Sequence, residues 1–221
     1  GSIGTGRGNS NCFCNTTYSD TPYGYVAGGI TTVSLTAQTN VSEKLSTKTD
    51  TFTSISNLPI ALSESAAIVN ESLRGISIGG LNSSGNEIST CYSLEYATDT
   101  FSTRSTGTNP WVTRGSAGGT DLYDKGFSVG GYNGSVSLTG VSKVDFATIS
   151  TSSVSSATLS TARYSPVAIS NRNEMYFFGG YNATSGRVTT GEKINFTTET
   201  SSTVSATMSV PRINFGSHGW S

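Results

Sequence analysis

Four times along the chain a run of apolar or aromatic residues ends in two consecutive glycines. The runs are Tyr23-Gly24-Tyr25-Val26-Ala27-Gly28-Gly29, Gly75-Ile76-Ser77-Ile78-Gly79-Gly80, Gly126-Phe127-Ser128-Val129-Gly130-Gly131 and Met175-Tyr176-Phe177-Phe178-Gly179-Gly180, at a pitch of 51, 51 and 49 residues. About sixteen residues after each glycine pair comes a short segment of alternating apolar and polar positions with Thr near its end: Lys44 to Thr49, Ser93 to Thr98, Lys143 to Thr148 and Lys193 to Thr198. Period-two alternation marks a half-buried strand, because successive strand side chains point to opposite faces. A third marker precedes each glycine pair, a small residue or Pro followed mostly by Arg. It occurs five times, as Gly6-Arg7, Ala61-Leu62, Thr113-Arg114, Ala162-Arg163 and Pro211-Arg212.

Each unit therefore reads as four short strands. The first follows the Arg position, the second ends at Gly-Gly, the third is the alternating segment and the fourth is rich in Ser and Thr. No stretch carries a helical period, and β-branched Thr and Val favour strands throughout. The pattern predicts an all-β fold with four complete four-stranded blades at about 3–57, 58–108, 109–157 and 158–207, followed by an extra strand in 208–221. The apolar residues before the glycines, such as Val129 and Phe178, are expected to pack between blades.

Four strands per roughly 50 residues is the blade of a β-propeller. On the four apolar-Gly-Gly segments and the third-strand pattern, nearly the whole chain resembles the kelch repeat family. The likeness is to the degenerate, Ser/Thr-rich repeats of phage and environmental microbial surface proteins. The family's fourth-strand Trp is absent from all four units. The resemblance implies a kelch-like propeller. A ring needs closing, and an open sheet edge invites pairing. The four-plus-one strand count points to a piece of a larger ring, or to chains that complete one another through edge strands. A four-bladed ring with an irregular end is the other account.

Composition narrows the function. Charged residues make up 12% of the chain, about half the usual quarter, with 38 Ser and 33 Thr in their place. Thirteen basic against fourteen acidic residues leave no surplus to neutralise a phosphate backbone, so no nucleic-acid partner is expected. No apolar run is long enough for a membrane helix. One His and three Cys do not make a multi-ligand zinc site, and no cofactor is assigned. Cys12 and Cys14, two apart, point the same way on a strand. With neither an initiator Met nor a signal peptide, the sequence reads as a processed product or part of something longer.

The candidate chemistry is sparse. No Gly-x-Ser-x-Gly elbow exists, and His218 is the one imidazole. Kelch-type copper oxidases need two His, and the Asp boxes of sialidase propellers are missing. Asp121, Asp124 and Glu174 have no spacing that supports a glycosidase pair. No catalytic residue is assigned. Tyr132 and Asn133, and Tyr181 and Asn182, follow the glycine pairs, where they offer aromatic and amide groups to a sugar or make turns. Arg114, Arg163 and Arg212, with Arg7, recur at one blade position, where a ring of guanidiniums would hold an anion, or where each would bond loop carbonyls or a neighbouring acid such as Glu64 or Glu174. Trp111 and the His218-Gly219-Trp220 segment are singular on a repetitive scaffold and so stand out as contact residues. The reading is a non-enzymatic extracellular or virion-surface module that binds a glycan or a surface protein through loops on one face. A structural assembly unit joined through open edges and a carbohydrate-active enzyme are the alternatives.

Overall fold

The computed structural model describes residues 6–15, 22–32, 37–104, 109–121 and 123–213. Among these residues the chain is all-β, without a helix, and is built as four antiparallel meanders in chain order. The first sheet is β1 (Asn11–Asn15), β2 (Tyr23–Ala27), β3 (Ser42–Ser46) and β4 (Thr51–Ser54). The second holds β5 (Leu62–Ser63) and β6 (Ala66–Val69), both paired to β7 (Arg74–Asn82), then β8 (Glu87–Glu95) and β9 (Thr100–Arg104). The third is β10 (Ala117–Thr120), β11 (Lys125–Val129), β12 (Val141–Asp145) and β13 (Ser150–Ser153). The fourth runs β14 (Val167–Ser170), β15 (Glu174–Phe178), β18 (Thr190–Asn195) and β19 (Thr200–Thr207), with β16 (Tyr181–Asn182) and β17 (Gly186–Arg187) forming a small hairpin between. The four strands expected per unit are all present. The expected extra strand lies mostly in 214–221, with Trp220 and His218, outside the described residues.

The core lies between the sheets. Phe13, Tyr25, Leu62 and Tyr96 fill the junction of the first and second sheets. Ile68, Ile76, Phe146 and Ile149 fill the junction of the second and third, and Val129, Leu159, Met175 and Phe196 that of the third and fourth. Each such side chain contributes roughly 1.5–3 kcal/mol on burial. The same register position meets the same neighbour at each junction. Tyr25 stacks on Tyr96, and Phe127 on Phe196, with 5.2 Å between ring centroids in both pairs. Of the two residues expected between sheets, Val129 is fully buried in a junction. Phe178 instead lies over Gly191 of its own sheet, and Phe177 takes the buried side.

The first strands stand side by side: β6 lies against β1 and β10, and β10 lies against β14. Among the described residues, β14 and β1 share no comparable contact.

The glycine pairs are the joints. The N–H of the second glycine donates to a carbonyl at the marker position of the following unit: Gly29 to Leu62 (2.7 Å), Gly80 to Thr113 (2.7 Å), Gly131 to Arg163 (2.8 Å) and Gly180 to Arg212 (2.9 Å). The first glycine has φ near +65°, and a Cβ on Gly28, Gly79 or Gly130 would run into that same carbonyl oxygen. Both constraints exclude a side chain. This register corrects the marker alignment. Thr113, not Arg114, is in line with Arg7, Leu62, Arg163 and Arg212, and Arg114 stands one residue further on.

Candidate functional site

Two residues beyond each of the first four marker positions the chain turns into its first strand through a left-handed conformation. Asn9, Glu64, Gly115 and Ser165 have φ between 51° and 62°. Their backbones form a relay across the sheets: Ser165 N–H donates to Gly115 C=O, Gly115 to Glu64 and Glu64 to Asn9, at 2.5–3.2 Å. Left-handed Glu and Ser are uncommon and cost of order 1–3 kcal/mol each, a strain that the bonded relay offsets. The relay rims a shallow polar depression lined by Asn9, Ser10, Glu64, Ser65, Ser116 and Pro166.

Beside the depression runs a row of aromatic rings that starts at a guanidinium. Arg114 and Tyr132 exchange both backbone hydrogen bonds, as do Tyr164 and Tyr181. Main chain thus fixes all four residues. The Arg114 guanidinium lies over the Tyr132 ring at 5.3 Å. Tyr132 meets Tyr164 at 5.3 Å, and Tyr164 meets Tyr181 at 5.5 Å, both tilted. All three rings are half-buried. Arg114 also reaches two carboxylates of the second sheet, Glu87 at 3.1 Å and Glu64 at 3.5 Å. Burial raises the Glu64 carboxyl above its ordinary value, against the pull of Arg114 and with the help of Glu87. Burial likewise raises the Tyr164 hydroxyl, so it stays a neutral donor and acceptor at physiological pH.

The sequence candidates divide. Tyr132, Tyr181 and Arg114 come together in this row. Asn133 and Asn182 serve turns, since each Oδ1 accepts two backbone N–H groups from residues two and three further on. Arg163 is fully buried and bonds Glu192, the Thr190 hydroxyl and the carbonyls of Gly179 and Thr190. Arg7 makes the equivalent pair with Glu43 and the Val41 carbonyl. Both are internal braces, not an anion ring. Arg212 is exposed and engages Gly180 through its carbonyl. Trp111 packs over Gly140 of the same sheet. Tyr164, Glu64 as a site group and Glu87 had no repeated motif to mark them. The clue was the register that aligns Arg163-Tyr164-Ser165 with Arg7-Gly8-Asn9.

Of the acids weighed for hydrolysis, Asp121 and Glu174 have structural partners. Asp121 Oδ1 accepts the N–H groups of Tyr123, Asp124 and Lys125, and Glu174 holds Lys193 and the Tyr176 hydroxyl. Among the described residues no helix is long and apolar enough to cross a membrane. No protein-family model matches this chain, and no curated protein is similar to it.

Proposed function

We propose that the chain is part of a kelch-like β-propeller that recognises a glycan without chemistry, in an extracellular or virion-surface setting. The observation that carries this reading is the row Arg114–Tyr132–Tyr164–Tyr181 on the rim of the polar depression. A pyranose has an apolar C–H face and a hydroxyl edge. Half-buried tyrosine rings offer the stacking surface, while Arg114, Glu64, Glu87 and the serines of the depression offer charge-assisted and neutral hydrogen bonds. The residues are preset by main-chain bonds, so little ordering entropy is lost on binding. The two site carboxylates share one guanidinium, an arrangement suited to holding hydroxyls.

The test is a glycan array probed with the wild type and with Tyr132→Ala, Tyr164→Ala and Tyr181→Ala. Each substitution is expected to weaken the selected sugar roughly tenfold while leaving the thermal midpoint nearly unchanged. A wild type that captures no glycan overturns the reading.

A further inference from the structure

The two outermost sheet faces are the two halves of the junction repeated inside the molecule. At the first two internal junctions a first-strand side chain of one sheet inserts against the second strand of the next. Phe13 fills the space over Gly75, and Ile68 the space over Gly126. At the last junction the sizes are exchanged, with Gly119 facing Met175. The position equivalent to Phe13 and Ile68 in the fourth sheet is Ile169. It is 40% exposed, where Phe13 is 3% and Ile68 1% exposed. The position equivalent to Gly75 and Gly126 in the first sheet is Gly24, and a side chain there would meet no atom of another sheet.

A second element repeats beside the first. The turn between the third and fourth strands carries a left-handed residue, Asp50, Asp99, Ile149 or Glu199. Asp99 reaches back to Lys44 of the preceding sheet, and Glu199 to Lys143. Ile149 is buried against the preceding sheet. Asp50 of the first sheet is exposed. In the fourth sheet, Lys193 stands in register with Lys44 and Lys143, and among the described residues its one charged partner is Glu174 of its own sheet.

We propose that the fourth sheet docks the first sheet of a second copy of this chain, with Ile169 entering over Gly24 and Lys193 meeting Asp50. The apolar knob, the vacant glycine and the opposite charges are the three features that join the first sheet to the second, and a copy of this chain supplies all of them in register. One bond is exchanged on docking. Gly180 N–H now holds Arg212 of its own chain, within a largely exposed segment, and the incoming Arg7 carbonyl takes the same place. The junction is weaker than the internal ones, because the first sheet has Thr47 where the others place Tyr96, Phe146 and Phe196. The association is therefore reversible and concentration-dependent. It is independent of glycan binding.

Sedimentation of the full chain across a concentration series tests this. The wild type is expected to self-associate, and Ile169→Asp and Gly24→Leu are each expected to sediment as monomers. Neither substitution touches a packed site, so circular dichroism and the thermal midpoint should show both folded. Mixed together, the two variants are expected to form a one-to-one dimer and nothing larger, because each retains one competent face. A monomeric wild type, or Gly24→Leu that associates like the wild type, overturns the proposal. Association that begins only after residues 208–221 are removed also overturns it, and assigns the face to the chain's own C-terminal segment.

Discussion

Gly131 donates its N–H to the carbonyl of Arg163 at 2.8 Å, and a side chain on the adjacent Gly130 would occupy the space of that oxygen. The joint between the third and fourth sheets is therefore a backbone contact that tolerates no Cβ. Gly130→Ala is expected to cost more than about 2 kcal/mol, because it adds a steric overlap to left-handed strain. Gly186→Ala, also at positive φ but with open space around it, is expected to cost only about 1 kcal/mol. Chemical denaturation of both variants measures the difference, which is the cost of blocking the joint.

The Arg163 side chain does separate work, pairing with Glu192 at 2.7 Å with both side chains buried. Removing one partner leaves an unpaired buried charge, so Arg163→Leu alone is expected to lose roughly 3–5 kcal/mol. The second sheet has Leu62 and Tyr92 at the same two positions, packed in one apolar cluster. The double variant Arg163→Leu/Glu192→Tyr is accordingly expected to recover most of that loss. A double-mutant cycle in urea reads both numbers. If the double variant is as unstable as the single one, the Arg–Glu pair is not exchangeable with its apolar counterpart.

Acid should loosen the third junction first. Burial works against the Glu199 carboxylate, but hydrogen bonds from Lys125 and Lys143 outweigh it and hold the group below its ordinary value of 4.5. A lowered folded value means stability that is present above pH 4.5 and lost as pH falls through the folded value. Glu174, lowered chiefly by Lys193, acts in the same direction. Glu64, raised by burial, acts in the opposite one, since its protonation favours the fold. The net expectation is a thermal midpoint that drops below pH 4.5, with a shallower drop in Glu199→Gln. Melts from pH 3 to pH 7 check it.

Burial pushes the Cys91 thiol up to about 12, although a backbone hydrogen bond from Asn109 pulls the other way. Cys12 and Cys14 are exposed, although burial raises both thiols as well, and Cys14 stands opposite Gly24 on the face proposed to dock a second copy. At dilutions where the chain is monomeric, Ellman's reagent is therefore expected to titrate these two thiols before the third, which reacts only as the chain unfolds. Three fast thiols would show that the second sheet opens in the native state.

How much of this was legible beforehand follows from how local each cause is. The glycine pairs stood out because two adjacent positions are each constrained for a separate reason, one by positive φ and a neighbouring carbonyl, the other by the donor it supplies. The alternating segments around Lys44, Ser93, Lys143 and Lys193 became strands because period two survives wherever one face is buried. The marker was misaligned at Thr113-Arg114, since an arginine one residue late looks the same in sequence as one in register. Arg114 thereby leaves the buried brace position that Arg7 and Arg163 occupy and becomes free to meet Tyr132. Glu87 and Tyr164 were invisible because only folding brings the second, third and fourth sheets to one rim. The asparagines after the glycine pairs had two readings in the sequence, a sugar contact and a turn, and their Oδ1 atoms take up the turn.

The backbone relay from Ser165 through Gly115 and Glu64 to Asn9 involves no side chain. The rim it supports can change its side chains without losing those bonds, but only among residues that tolerate a left-handed backbone, Gly, Asn and Asp foremost. The scaffold thus confines variation at those four positions to a narrow alphabet.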